Sequence, residues 1–411
     1  MSSNNISQLL GGWEGYRIGS IQRFDIGKEI PHPELWIELL PDKRKKMQCS
    51  GCGQYVSAVH DRVGRWIRDL PVFDCSTHLL VIRRRVLCPD CGPKLERLSW
   101  LEKYARVTSR LAESVAKLCQ ILPIKHVADY YNLNWKTVKA IHKYYLVKTL
   151  GPVNLSGIRV LAMDEFAIRK GHRYATIIID PYTKRALWLG LGNSRESIRP
   201  FFELLGKVGC NSIEAVAMDM NAAFAHEVKA QCPNALIVYD LFHVVAKYGR
   251  EVVDRVRVDE ANRLREDKAA RKVVKGSRWL LLRNPENIKR GVDKIKLQEL
   301  LEANKALMTV YVLKADLKRL WDVRCTKMAL RFWGEWYQRA MQSNIVPLVR
   351  FAKLLKPYLS GIISHSRYPL HTSLLEGINN KIKVIKRMAY GFLDNDYFFL
   401  KIRAAFPGIG R

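Results

Sequence analysis

Four cysteines place the strongest constraint on how this chain can fold. "MQCSGCG" carries Cys49 and Cys52, and "VLCPDCG" carries Cys88 and Cys91. Each pair has the Cys-x-x-Cys spacing of a metal knuckle. Each is followed by glycine, which lets backbone amides turn toward the thiolates. Four sulfurs suit tetrahedral zinc, so the two pairs are expected to meet at one Zn²⁺ ion. Coincidence and a redox Cys-x-x-Cys are the alternatives. Between the pairs lie "WIRDLPVF" and "HLLVIRRRVL", the latter rich in β-branched residues, which predict strands. The long separation predicts a zinc ribbon with an inserted β-meander. His60 and His78 are expected at the surface or in the core, because four sulfurs already close the shell. Cys75, Cys119, Cys210, Cys232 and Cys325 are scattered. That is the pattern of buried or free thiols, not of a secreted disulfide framework.

Charge narrows the choice of partner. The 411 residues carry a formal net charge of +30, with a pI near 9.9 and 48% hydrophobic residues. The hydrophobic share excludes a mainly disordered chain, and the length predicts two or three domains. Basic residues run along the whole chain rather than in one tail. This favours an extended phosphate-binding surface, and so nucleic acid, over an anionic membrane or an acidic protein. No apolar run reaches the roughly 18 residues of a membrane span. "MSSNNISQLLGGWEGYRIG" lacks the basic start and apolar stretch of a secretory signal, so a soluble intracellular protein is expected. The tracts "DKRKK" and "VIRRRV" beside the cysteine pairs point that region toward DNA.

Next, "TSRLAESVAKLCQIL" has helical apolar spacing, Pro123 stands at a helix start, and "IKHVADYY" reads as a short helix. "NLN" is a turn, and "WKTVKAIHKYYL" is a second helix with Val138, Ile141 and Leu146 inward. This is helix-turn-helix spacing, although any three-helix packing can share it. Trp135, Lys136, Lys139 and Lys143 are expected to face outward, toward a DNA major groove. After the linker "LGPVNLSG" come three strands, "IRVLAMDEFA", "RYATIIID" and "RALWLGL", joined by short turns. Helix "SRESIRPFFELLGKVG", strand "IEAVAMDM", helix "NAAFAHEVKAQCP" and the strand-to-helix run "ALIVYDLFHVV" follow. Three antiparallel strands, then alternating helix and parallel strand, predict a mixed α/β sheet. Residues 246–365 are helical and highly charged, and read as a helical insertion or lid.

Two of these strands are expected to end in carboxylates, Asp164 and Asp219, as the chain leaves the sheet. One aspartate at a strand end is commonly a cap for the next helix. Two from neighbouring strands, joined by a third acid, would make an oxygen-rich site for Mg²⁺ or Mn²⁺. Paired ions in such sites serve phosphodiester hydrolysis and transesterification. Glu376 in "LLEGINNKIKVIKRMAYG" is the natural third acid. Helical spacing aligns it with Asn380, Lys383 and Arg387, which would track a DNA backbone. Its bland reading is an acid offsetting a helix N-terminal dipole. Glu165 is expected on the opposite face of its strand from Asp164. Arg169, Lys170, His172 and Arg173 form a hairpin that either contacts DNA or is simply solvated. Asp240 and His243 lie at the end of another core strand, where a helix N-cap and a packed histidine compete with a His243 that touches the scissile phosphate. Asn379 and Asn380 either orient Glu376, contact phosphate, or are ordinary first-turn amides.

"MDEFAIRKGHRYATIIID", "AMDMNAAF", "YDLFHVV" and "LLEGINNKIKVIKRMAYGF", in this order, resemble the insertion-sequence transposases of the ISL-three family. The resemblance covers nearly the whole chain. It implies a multidomain α/β protein: a zinc-ribbon-like domain over 1–102, a helix-turn-helix domain over 103–150, and a ribonuclease H-like core over 151–245 and 366–411, interrupted by the helical insertion 246–365. It implies a DDE-type enzyme whose triad, Asp164, Asp219 and Glu376, binds two Mg²⁺ or Mn²⁺ ions. It implies recognition of terminal inverted repeats and transfer of 3′-OH ends to target DNA. A homodimer or higher synaptic assembly is expected, because two ends must be handled together. So is a cytoplasmic, nucleoid-associated location in a bacterium, with no membrane partner. A non-catalytic zinc and helix-turn-helix regulator is the alternative from another class, and a nuclease that cuts without joining is a third.

Overall fold

The computed structural model describes residues 12–27, 32–169, 171, 173–283, 285–370 and 373–409. They form two compact units, one of residues 1–151 with 386–400 and one of 152–385 with 401–411.

The first unit contains β1 (Tyr16–Phe24), β2 (Glu34–Pro41), β3 (Met47–Gln48), β4 (Tyr55–Val56), β5 (Val59–Val72), β6 (Cys75–Cys88) and β7 (Gly92–Leu95). The sheet order is β1-β2-β6-β5, with β7 also on β6. β2 runs parallel to β6, while the other pairs are antiparallel. The expected meander is therefore a long β5–β6 hairpin. It is widened by β1 and β2, which lie before the first cysteine pair and outside the strands expected from sequence. Alternation decides the faces: Ile37, Leu39, Ile67, Leu79 and Val81 point inward, onto Trp13, Trp100 and Leu101.

The helix-turn-helix forms as its spacing predicts, from α1 (Ser109–Ile121), α2 (Ile124–Tyr130) and α3 (Trp135–Leu150). Thr108 caps α1 by accepting from the Leu111 amide, and Asn134 caps α3 by accepting from Lys136. The turn between α2 and α3 uses Asn132 at φ 49°, a left-handed conformation that asparagine tolerates. Leu111, Val115, Cys119, Val127 and Val138 form the core.

Asp69, at the end of β5 and fully buried, ties this core to the sheet. It accepts from Trp13 Nε1 at 2.8 Å, Thr108 Oγ1 at 2.6 Å and Arg110 Nε at 2.7 Å, and is also paired with Arg110 Nη2. A buried carboxylate is tolerated because its lone pairs are filled by donors, one of them cationic.

Residues 386–400, expected with the catalytic core, pack in this first unit. Tyr397 Oη meets buried His142 Nδ1 at 2.6 Å. Asp394 lies 2.9 Å from Lys139 and 3.1 Å from Lys143. Trp135 and Lys136 are exposed on α3 as expected, but Lys139 and Lys143 are turned to this downstream acid.

The second unit is built on β8 (Val160–Arg169), β9 (Arg173–Asp180), β10 (Arg185–Leu191), β11 (Ala215–Met218) and β12 (Leu236–Tyr239), in the order β10-β9-β8-β11-β12. β8, β9 and β10 are antiparallel neighbours, and β8, β11 and β12 are parallel. This is the mixed, ribonuclease H-like sheet expected from the alternation of elements. α4 (Arg195–Ser212), α5 (Ala222–Gln231) and α6 (Leu241–Tyr248) connect and follow the parallel strands.

The insertion comprises α7 (Asp254–Arg263), α8 (Lys268–Gly276), α9 (Arg278–Leu282), α10 (Gly291–Ala303), α11 (Lys305–Arg319), α12 (Thr326–Gln342), α13 (Val346–Leu355) and α14 (Leu359–Ile363). It is not a detached lid. Its apolar residues share one continuous core with the sheet, from Leu161 and Val216 through Tyr248 to Leu313 and Phe351. Tyr248 Oη donates to the Val310 carbonyl at 2.9 Å. Gly361 lets α14 lie against the edge strand β12: an added Cβ would stand 2.4 Å from the Tyr239 ring. Covering the edge also removes a site for unwanted strand pairing. α15 (Ser373–Met388) and α16 (Asn395–Ala405) close the chain.

Asp69→Ala is expected to destabilise the first unit by about 3 kcal/mol, because it strands the donors of three segments. Chemical denaturation, followed by the fluorescence of Trp13 and Trp100 made the sole tryptophans, would measure it.

Candidate active site and zinc centre

Strand register decides which acids meet. β8 pairs with β11 through Ala162 and Ala217, and β11 pairs with β12 through Met218 and Tyr239. Continuing those ladders puts Asp164, Asp219 and Asp240 at one level on three adjacent parallel strands. Contrary to the expectation from the sequence, Asp164 does not end its strand: β8 runs on to Arg169 in a hairpin with β9. What ends here is its parallel neighbour β11, at Met218. The loss of that neighbour opens the carboxylate row. Asp164 and Asp240 are buried, whereas the Asp219 side chain is 43% exposed.

Each aspartate is held. Asp164 accepts from the Glu165 amide at 2.8 Å and from Asn379 Nδ2 at 2.6 Å. Asp219 accepts from the Met220 amide at 2.6 Å and meets His243 Nδ1 at 3.1 Å. His243 Nε2 lies 3.7 Å from Asp240. Asp219 does not cap the following helix; Asn221 does, accepting from Ala223 and Phe224. The helix-cap explanation for Asp219 therefore fails. Glu165 turns away from Asp164, as strand alternation requires, and accepts from Asn193 at 2.8 Å.

The charge of the row is poorly compensated. Burial raises the Asp164 carboxyl to about 6, and the nearby Asp219 and Asp240 charges add to the shift. The hydrogen bond to Asp219, with the field of all three aspartates, raises His243 to about 9. Burial works to raise Asp219, but His243 and the Met220 amide outweigh it and hold that carboxyl low. His243 is the basic side chain that stands between Asp219 and Asp240. Crowded carboxylate oxygens at a strand end are the donor set that a hard divalent cation takes. Asp164, Asp219 and Asp240 supply oxygens of that type, but among the described residues only the four cysteines bring three or more ligand atoms within 4.8 Å of one another.

Glu376 lies in the first turn of α15 and is exposed. Asn379, three residues on, is the α15 side chain that touches Asp164. Among the described residues, the Glu376 carboxylate does not gather with Asp164 and Asp219 into one ligand cluster. Leu375, Ile378 and Ile382 form the buried face of α15. Asn380, Lys383 and Arg387 share the exposed face with Glu376, as their spacing predicts. Lys383 Nζ reaches Asn380 Oδ1 at 3.4 Å. Arg169 and Arg173 face each other at the base of the β8–β9 turn and are exposed. Lys170 and His172 fall outside the described residues.

The other cluster is the expected sulfur site. The Sγ atoms of Cys49, Cys52, Cys88 and Cys91 all lie within 4.8 Å of one another, with Cys52 and Cys88 3.6 Å apart. Tetrahedral zinc–sulfur bonds of about 2.3 Å require sulfurs roughly 3.8 Å apart, so the site fits zinc. Gly53 and Gly92 have φ of 79° and 66°. These are left-handed turns, which explains why glycine follows each pair. Gly51 faces the sulfurs, where an added Cβ would stand 3.0 Å from Cys91 Sγ. Backbone amides of Cys52 and Gly51 pull Cys49 down to about 7. Cys52 drives Cys91 up to about 12, since crowded thiolates repel without a cation. His60 pairs with Asp61 and His78 with Glu34, so neither competes for the ion.

Purified protein is expected to carry about one zinc per chain, and Cys52→Ser or Cys88→Ser to lose most of it. Metal analysis with circular dichroism would test this; full zinc retention in both variants would refute the four-sulfur site.

The three regions also match known families. A family model described as a transposase matches residues 161–402. One described as the helix-turn-helix domain of transposase family ISL3 matches 96–146. One described as the zinc-finger of transposase IS204/IS1001/IS1096/IS1165 matches 45–91. The chain is 50% identical over 412 residues to a transposase for insertion sequence element IS1001 from Bordetella parapertussis, covering 100% of each chain. It is 27% identical over 374 residues to a transposase for insertion sequence element IS1557 from Mycobacterium tuberculosis H37Rv, covering 84% of this chain and 82% of that one. With a catalytic-region match across more than half of its length and a full-length relative of this kind, the chain belongs to the ISL3 family of insertion-sequence transposases.

Proposed function

We propose that this transposase binds the terminal inverted repeats of its element, cleaves phosphodiester bonds with two divalent ions, Mg²⁺ or Mn²⁺, and transfers the 3′-OH ends to target DNA. The level row of Asp164, Asp219 and Asp240 carries this reading, because the register of β8, β11 and β12 brings three acids to neighbouring positions where the parallel pairing ends. Ions bound there would neutralise the attacking and leaving oxygens and lower the pKa of a water nucleophile. Asp164 and Asp219 serve as ligands. His243, beside Asp219 and charged, is placed to meet an anionic phosphate. Glu376 completes the ligand set once the first turn of α15 seats against DNA. Asn380, Lys383 and Arg387, on the exposed face of that helix, hold the phosphate backbone. Arg169 and Arg173 join them, and Lys170 and His172 are assigned there by sequence. Trp135 and Lys136 lead the helix-turn-helix contact, with Lys139 and Lys143 in reserve behind Asp394. The protein acts as a homodimer or higher assembly that holds two ends together.

A second assignment of the third carboxylate has its own support: Asp240 already stands in the row and is buried there. The two assignments separate by mutation. Asp164→Asn, Asp219→Asn and Glu376→Gln are each expected to cut end cleavage more than about a hundredfold while end binding persists, and Asp240→Asn to cut it less. Cleavage of labelled inverted-repeat DNA with Mn²⁺, beside a gel-shift of the same DNA, measures both. Wild-type cleavage by Asp164→Asn would remove the metal assignment. A near-wild-type Glu376→Gln with a dead Asp240→Asn would move the third ligand to Asp240.

End binding should also weaken steeply with salt, since a chain of charge +30 releases many counterions from DNA. A flat response between about 50 and 200 mM salt would contradict a phosphate-dominated contact.

A further inference from the structure

Asn379 reaches from α15 to the aspartate row with one end of its amide. Nδ2 donates to Asp164 Oδ2 at 2.6 Å. The other end, Oδ1, is buried and has no hydrogen-bond partner among the described residues. A tether needs only the donor, so it does not explain a buried acceptor left empty. The Asp164 carboxylate explains the present orientation. Its Oδ1 accepts from the Glu165 amide, a donor fixed by the strand. Each oxygen thus accepts one donor, and the donor on Oδ2, unlike the strand amide on Oδ1, is a side chain that can turn. Facing a bare carboxylate, an amide shows its N–H. Facing a cation, it shows its carbonyl, and the two ends are close in size.

We propose that Asn379 is a metal-site residue: its N–H holds Asp164 when no ion is bound, and its Oδ1 turns to ligate the divalent cation that Asp164 takes up. This rests on reading Asp164 as a metal ligand. A neutral oxygen suits the position better than a further acid. Asp164 already stands near Asp219, Asp240 and their shared histidine, and burial disfavours its own charge. The Asn379 carbonyl adds a hard oxygen of the kind Mg²⁺ and Mn²⁺ accept, with no added repulsion when the ion is absent. Asn379 also lies one helical turn after Glu376, so the same contact seats the helix that carries the proposed third carboxylate.

The test is Mn²⁺ binding to full-length, zinc-loaded protein without DNA, followed by the electron paramagnetic resonance signal of free Mn²⁺. Circular dichroism and zinc content would confirm folding. Asn379→Ala is expected to weaken binding about tenfold or more. Asn379→Asp is expected to restore it to within a few-fold of wild type, because a carboxylate oxygen can ligate but cannot donate to Asp164. Asp164→Asn is the reference, expected to lose about a hundredfold. Wild-type affinity in Asn379→Ala beside a crippled Asp164→Asn overturns this proposal alone. Wild-type affinity in Asp164→Asn overturns the metal reading and this proposal with it. If Asn379→Asp binds as weakly as Asn379→Ala, the residue acts through its N–H and is not a ligand. If Asn379→Ala fails to fold, Asn379→Asp decides: affinity near wild type supports ligation, and a tenfold loss overturns it.

Discussion

The parallel register of β8, β11 and β12 is the constraint on which the site depends. Ala162 pairs with Ala217, and Met218 pairs with Tyr239. A slip of one residue would turn each aspartate to the opposite face of the sheet. The buried pattern forbids it: Leu161, Met163, Val216 and Met218 all enter one core and cannot be turned to solvent. Apolar packing thus sets the register, and the register sets the carboxylate row. The electrostatic cost follows. Three acids on neighbouring strands repel, and this structure meets the repulsion by drawing a proton onto His243 and raising the Asp164 carboxyl. The opposite shifts of Asp164 and His243 mark these residues as one interacting group where the parallel pairing ends.

Buried polar contacts also organise the DNA-binding unit. Asp69 joins the segment before β1, the end of β5 and the start of α1 through hydrogen bonds in a dry setting. Zinc and helix-turn-helix regions are distinct in sequence but pack as one unit. On the far side of α3, Asp394 and Tyr397 occupy Lys139, His142 and Lys143. A lysine predicted to face DNA is in this way partly committed to the protein, which leaves the Trp135–Lys136 end of α3 as its open part. The insertion behaves similarly. Its high charge suggested a mobile cover, yet Tyr248, Leu313 and Phe351 make it part of the catalytic core.

Much of this was legible in the residues. Cys-x-x-Cys spacing predicted the sulfur cluster, because ligand geometry leaves few ways to arrange two such pairs. Period-two and helical patterns predicted β5, β6, the helix-turn-helix and the strands and helices of the mixed sheet, because alternation and helical spacing are local. β1 and β2 lie outside the strands expected from the sequence: β1 is mostly exposed, and β2 buries Ile37 and Leu39 through its pairing with β1 and β6, which local sequence does not name. Asp164 was placed at a strand end because the acid interrupts an apolar run. Its strand continues because β9 supplies a partner that local sequence does not name. Glu376 remains exposed on α15, and the contact that reaches Asp164 comes instead from Asn379, a residue that a helical stripe alone did not favour.

By itself, the sequence determined the four cysteines of the sulfur site, the order of elements in the helix-turn-helix and the mixed sheet, the strongly basic charge and the acids available to that sheet. Each depends on residue type or on spacing along the chain. Only the tertiary structure decided which acids stand level, which lysines of α3 are taken by Asp394, and that Asn379 donates to Oδ2 of Asp164. Those outcomes depend on register and on contacts between segments up to about 250 residues apart (residues 143 and 394 are separated by 251). Many topologies are compatible with one local pattern, and only the packed core selects among them.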